Sequence, residues 1–92
     1  MIVANMAGNT IAVDGKDFPM RGQPLRLTHA ILTLPPPVHR DALCKLLWPE
    51  KTHSVRMNNL HVQVAHARKL LALMGVDLLC EDHEYRVVQH KN

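Results

Sequence analysis

One helical seam, in residues 56–71, constrains this chain more than any other feature of its sequence. At about 100° per residue, its apolar side chains lie within roughly 60° of Leu60. They are Met57, Leu60, Val64 and Ala67, followed by Leu71 and Met74. Burying such a stripe removes apolar surface from water. The pattern therefore predicts a long helix, over about residues 54–74, with one face in the core.

The opposite face of this helix carries no acidic residue. It consists of Asn58, His61, Val62, Ala65, His66 and Lys69. Amides, imidazoles and an ammonium group can hydrogen-bond to base edges and phosphates, and a valine can contact a thymine methyl group. The pattern favours a helix that lies in a nucleic-acid groove. A polar face that is only solvated is the alternative left open.

The length and composition predict one small domain spanning residues 1–92. A chain of 92 residues can bury a single core. Apolar residues make up 47% of the chain but aromatic residues only 3%, so the core must be mainly aliphatic, with Phe18, Trp48 and Tyr85 as large anchors. Cys44 and Cys80 lie in apolar-patterned segments, which predicts reduced core thiols.

The charges are divided along the chain. The formal net charge is +3, which permits nucleic-acid binding without requiring it. Residues 51–76 contain four Lys or Arg, three His and no acid, whereas four of the eight acids fall in residues 77–84. The basic segment coincides with the predicted long helix, and the acidic one follows it directly.

Several classes of function find no support in the sequence. There is no glycine-rich phosphate loop, and no nucleophile stands beside an evident base, so we expect no enzyme activity and assign no catalytic residue or cofactor. There is no CxxC motif, and His61 and His66 are five residues apart rather than four, so we expect no metal site. No segment resembles a signal peptide or a membrane span, which predicts a cytoplasmic protein without membrane contact.

Residues 1–23 are predicted to form short β-strands. The β-forming runs are Ile2–Met6, Thr10–Val13 and Asp17–Met20. Asp14-Gly15 is typical of a hairpin turn. Pro19 removes one ladder donor, which predicts that the third run is short or lies at an edge.

Residues 24–75 are predicted to form three helices. The first carries Leu27, Ala30, Ile31 and Leu34 on one face and is stopped by the prolines at 35–37. The second is expected to start at residue 37, 38 or 39 and to end after Trp48. The third is the helix with the seam, with Ser54 as the predicted N-cap and Gly75 as the predicted C-cap.

Residues 76–89 are predicted to form a closing β-hairpin, with strands at 77–80 and 85–88 joined by 81–84. The fold class is therefore predicted to be α+β. N-terminal antiparallel strands, three helices and a C-terminal hairpin follow one another in the order of a winged helix-turn-helix, in which the third helix enters the major groove and the hairpin is the wing.

Four short motifs extend this prediction to a family. They are Leu27-Thr28 at the start of the first helix, Leu47-Trp48 at the end of the second, Ala67-Arg68-Lys69 near the end of the third, and Tyr85-Arg86 in the wing. In this order and spacing the chain resembles, over residues 10–88, the DNA-binding effector domains of OmpR/PhoB-type response regulators. It is also similar to the related domains of Streptomyces antibiotic regulatory proteins.

The resemblance implies a DNA-binding transcriptional regulator that contacts double-stranded DNA. In the family's register, His61, Val62 and His66 stand where base edges are approached. Asn58, Gln63 and Arg68 stand where phosphates are held. Lys69 is a further phosphate contact suggested by the charge pattern alone. Because a domain this small contacts few phosphates, we expect it to bind as a homodimer or on tandem sites.

Two departures from the family pattern keep an alternative function open. Ala65 and His66 occupy positions that are often arginine in the family, and Glu81, Asp82, His83 and Glu84 replace its basic, glycine-containing wing turn. Acids beside a phosphate backbone repel it by up to about 1 kcal/mol each when exposed and screened. The alternative is a winged helix that binds protein through its acidic wing, for example a phage or plasmid product directed at a host regulator or polymerase.

Overall fold

The computed structural model describes residues 1–89; the last three positions of the expected single domain, 90–92, lie outside the described residues. The elements follow one another in this order: β1 (Ile2–Asn5), β2 (Thr10–Val13), β3 (Lys16–Pro19), α1 (Gln23–Thr33), β4 (Val38–His39), α2 (Arg40–Leu47), α3 (His53–Ala72), β5 (Val76–Glu81) and β6 (Glu84–Gln89). This α+β arrangement confirms the predicted fold class and is compatible with a winged helix.

The N-terminal sheet is antiparallel, in the order β1-β2-β3. Asp14 and Gly15 form the predicted turn between β2 and β3, and both have positive φ, 51° and 81°. Such a turn matches the twist of the strands that it joins. Pro19 pairs with Thr10 at the end of edge strand β3, where a missing N–H is tolerated.

The second sheet has the order β4-β6-β5 and contains a strand that the sequence analysis missed. Val38 pairs with Tyr85, and His39 pairs with Glu84. The second helix therefore begins at Arg40, later than predicted, because the two residues before it pair with β6. His39 is its N-cap, and the Nδ1 atom of its ring accepts the Asp41 N–H at 3.1 Å.

The β5–β6 hairpin is tighter than predicted. Its strands extend to Glu81 and Glu84, so that only Asp82 and His83 form the turn, with φ of 52° and 64°. Two successive residues with positive φ are the backbone signature of a two-residue hairpin turn.

Both ends of α3 differ from the predictions. Thr52, not Ser54, is the N-cap, and its Oγ1 accepts the Val55 N–H at 3.4 Å. Both residue types are good caps, so the sequence alone could not separate them. At the other end the helix stops at Ala72, and Gly75, with φ of 73°, turns the chain into β5.

The core confirms the predicted seam of α3. Leu60, Val64, Ala67 and Leu71 are buried, and Met57 and Met74 are partly buried against the same cluster. The cluster draws on all three helices and on both sheets, and it includes Ile11, Leu27, Leu43 and Val76.

The large anchors and the cysteines give a mixed result. Trp48 and Tyr85 are buried and Phe18 is partly buried, as expected. Cys44 is a buried free thiol, but Cys80 is free and exposed, so its predicted place in the core is wrong. In β5 Val76 and Leu78 are buried, but Cys80, at the next alternate position, is exposed although its cross-strand partner Tyr85 is buried.

No helix within residues 1–89 is both long enough and apolar enough to cross a bilayer.

Candidate nucleic-acid interface

The outward face of α3 is open to solvent along its whole length. Its exposed side chains are Asn58, His61, Val62, Ala65, His66 and Lys69. Val62 is 55% exposed although it is a β-branched apolar residue in a helix, where it gains neither burial nor helix propensity. The face combines hydrogen-bonding groups with one apolar contact and has no carboxylate.

Two of the residues predicted to hold phosphates lie at the flanks of this face. Gln63 is half-buried, and its Oε1 atom is buried without a hydrogen-bond partner among residues 1–89. Arg68 is exposed, but its Nε donates to the Leu78 carbonyl at 3.1 Å, which ties α3 to β5. The structure therefore brings five of the seven predicted site residues onto one face and leaves these two beside it.

The cations of α3 do not converge on the outward face. Arg56 donates through Nε to the Trp48 carbonyl and through Nη2 to the Pro49 carbonyl, both at 2.8 Å. These bonds satisfy carbonyls just after α2 and fix the turn into α3. Lys69 is the only Lys or Arg of the helix on that face, so the positive charge of the face is modest.

A groove of about 420 Å³ opens beside the second half of α3. Its polar lining residues are Asn9, Arg21 and His66, and its apolar ones are Pro19, Met20, Pro24 and Leu70. Arg21 is exposed and lies between β3 and α1. Arg21 is not among the site residues predicted from the sequence, because nothing in its local pattern indicates that the chain passes alongside α3 there.

The wing is acidic on the folded protein as well as in sequence. Glu81, Asp82 and Glu84 are exposed, and they line a concavity of about 580 Å³ together with Pro36, Pro37, Val38, Tyr85 and Arg86. The lining contains three carboxylates and a single cation, Arg86. The concavity is suited to a basic partner and unsuited to phosphate.

The tip of the wing is attached to the start of α2. The Arg40 N–H donates to the His83 carbonyl at 2.8 Å. The Arg40 guanidinium lies 3.1 Å from Nδ1 of His83, and since arginine can only donate, Nδ1 is the acceptor. The rings of His39 and His83 meet edge to face with their centroids 6.3 Å apart. These contacts hold the acidic tip in a defined position relative to the helices.

Two groups with raised pKa values lie off the outward face of α3. Burial raises the pKa of the Tyr85 hydroxyl to about 12, assisted by a hydrogen bond with Cys80, and burial also raises the pKa of the Cys44 thiol. Within residues 1–89, no group of three or more His, Cys, Asp or Glu is placed to hold a metal ion.

No protein-family model matches this chain, and the searches for a similar curated protein and for a similar solved structure found no significant match either.

Proposed function

We propose that this chain is a winged-helix DNA-binding domain of a transcriptional regulator, with α3 in the major groove of double-stranded DNA. The observation that carries the proposal is the outward face of α3, which is exposed, free of acid and equipped with amide, imidazole, ammonium and apolar groups. An α-helix fits the major groove, where these groups distinguish base pairs. The resemblance to OmpR/PhoB-type effector domains supports the same assignment, and the proposal includes a cytoplasmic location.

In this proposal the outward residues have separate roles. His61 and His66 hydrogen-bond to base edges, and Val62 contacts a thymine methyl group. Asn58 and Lys69 contact phosphates, and Gln63 and Arg68 do so from the flanks of the helix. We expect two copies on adjacent half-sites to be needed for tight specific binding, because one copy contacts few phosphates.

The proposal is tested by titrating the protein against duplex DNA at about 50 and about 200 mM salt. We expect affinity to fall as salt rises. Lys69→Ala should reduce the slope of log K against log salt by about 0.9. His66→Ala should weaken binding by ~1 kcal/mol, roughly fivefold in Kd.

Lys45→Ala is the matched control, because Lys45 is exposed on α2, outside the proposed interface. It removes the same charge as Lys69→Ala, and we expect little change in the salt slope. The absence of any binding at about 50 mM salt would refute the DNA-binding proposal.

A second candidate function is favoured by one specific observation, the acidic concavity at the wing. Its carboxylates would bind a basic segment of a protein partner. If no DNA binding is found, this function is tested with Lys- and Arg-rich peptides, whose binding should weaken on Glu84→Gln.

A further inference from the structure

The groove beside α3 shares a residue with the proposed DNA-binding face. His66 belongs to both, since it is exposed on the outward face and also lines the groove with Arg21 and Leu70. The groove therefore continues the α3 surface toward the junction between β3 and α1, and a molecule lying along α3 would reach it without a gap.

Arg21 projects from a fixed piece of backbone. On one side of it, the Met20 N–H donates to the Asn9 carbonyl at 3.1 Å, and the Met20 side chain is buried. On the other side, Gly22 has φ of 71° and serves as the N-cap of α1, with a proline in the first turn. The position of the Arg21 Cα is thus set by the core, whereas its side chain is exposed.

The guanidinium of Arg21 is free to bind an anion. It makes no hydrogen bond or ion pair with residues 1–89, in contrast to Arg56 and Arg68, and no acid lines the groove. Its planar set of donors matches two oxygens of a phosphate at once. The neighbouring prolines, Met20 and Leu70 offer an apolar wall suited to deoxyribose.

We propose that the groove is a backbone-binding extension of the α3 interface, in which Arg21 binds a phosphate of the DNA strand that borders the major groove. This inference rests on the proposed function. Because sugar–phosphate strands run along both sides of a helix in the major groove, a cation beside the flank of α3 meets a phosphate rather than a base. Arg21 thereby fixes the orientation of α3 without contributing sequence specificity.

The test compares Arg21→Ala, Arg21→Lys and Lys16→Ala with the unmodified protein on one random-sequence duplex over a range of salt. Lys16 is the matched control, because it is an exposed cation at the far end of β3, near the turn and not in the groove lining. We expect Arg21→Ala to reduce the salt slope by about 0.9, Arg21→Lys to retain the slope and Lys16→Ala to leave it unchanged. Thermal unfolding should be unaffected by the change at the exposed Arg21.

The outcomes separate this inference from the proposed function. If the unmodified protein binds with salt dependence but Arg21→Ala has the same slope, or loses no more than Lys16→Ala, the groove does not bind phosphate and the α3 interface stands alone. If the unmodified protein does not bind the duplex even at about 50 mM salt, the proposed function is refuted, and the inference about Arg21 is refuted as well.

Discussion

The Lys and Arg side chains on and beside α3 differ in whether they bind backbone carbonyls of the protein. Arg56 and Arg68 bind backbone carbonyls of the α2–α3 turn and of β5, whereas Lys69 and Arg21 are exposed and make no hydrogen bond or ion pair with residues 1–89. An arginine beside the apolar face of a helix is well suited to hydrogen-bond to a neighbouring element, because it carries several donors at the end of an apolar stem. The charge available for a nucleic acid is therefore smaller than the count of cations suggests.

Tyr85 is a buried ionisable side chain in β6. It is only 8% exposed, and burial raises its pKa to about 12. Since the folded-state pKa lies above the unfolded value near 10, its contribution to stability is complete below about pH 10 and is lost as the pH rises through about 12. Tyr85 is the only tyrosine in the chain, so an absorbance titration reports it directly.

We expect tyrosinate to form near pH 12 in the folded protein and near pH 10 in concentrated urea. Cys80→Ala is the control, and it should keep most of the difference, because burial is the larger cause. A midpoint near pH 10 in the folded protein would contradict the burial of this side chain.

The two faces of α3 contribute differently to the free energy of unfolding. Leu60 is 1% exposed and Val62 is 55% exposed, although they are only two positions apart. Leu60→Ala should lower the free energy of unfolding by about 2–5 kcal/mol, because it removes buried methyl groups and leaves a cavity. Val62→Ala should change it by no more than about 0.5 kcal/mol, because it is a surface substitution and alanine favours helix.

Urea unfolding of the two variants measures this contrast. Similar losses in both would show that the outward face is buried in an assembly or packed elsewhere. A loss confined to Leu60→Ala would leave Val62 available for a contact made only on binding.

Across the whole molecule, the fold fixes where the acidic wing lies relative to the helices and the N-terminal sheet. The wing tip is fixed to α2 through Arg40 and His83, at the end of β6 opposite to Gln89. Gln89 in turn contacts Asp14 at the β2–β3 turn. The wing and the N-terminal turn thus occupy opposite ends of this strand.

If the wing lies beside the DNA backbone, Glu81→Arg should tighten DNA binding several-fold at about 50 mM salt, because it exchanges repulsion for attraction. Asp17→Arg on β3 makes the same change of charge near the opposite end and should have a smaller effect. Equal effects, or none at the wing, would place the hairpin away from the DNA.

The parts of the fold that were predictable depend on patterns within one element. The seam from Met57 to Leu71 repeats over about four turns of helix, and Asp14-Gly15 specifies a hairpin turn through its own backbone preferences. By contrast, Val38 and His39 form a strand of two residues. Two residues show no alternation, and only pairing with β6 makes them a strand.

The sequence by itself determined the order of the elements other than β4, the buried face of α3 and the acid-free composition of its outward face, because periodicity and turn chemistry act between neighbouring residues. The tertiary structure decided that Arg56 and Arg68 bind carbonyls, that Cys80 is exposed and that Arg21 lines a groove with His66. These outcomes depend on groups from different elements, and only packing of the core brings such groups within contact distance.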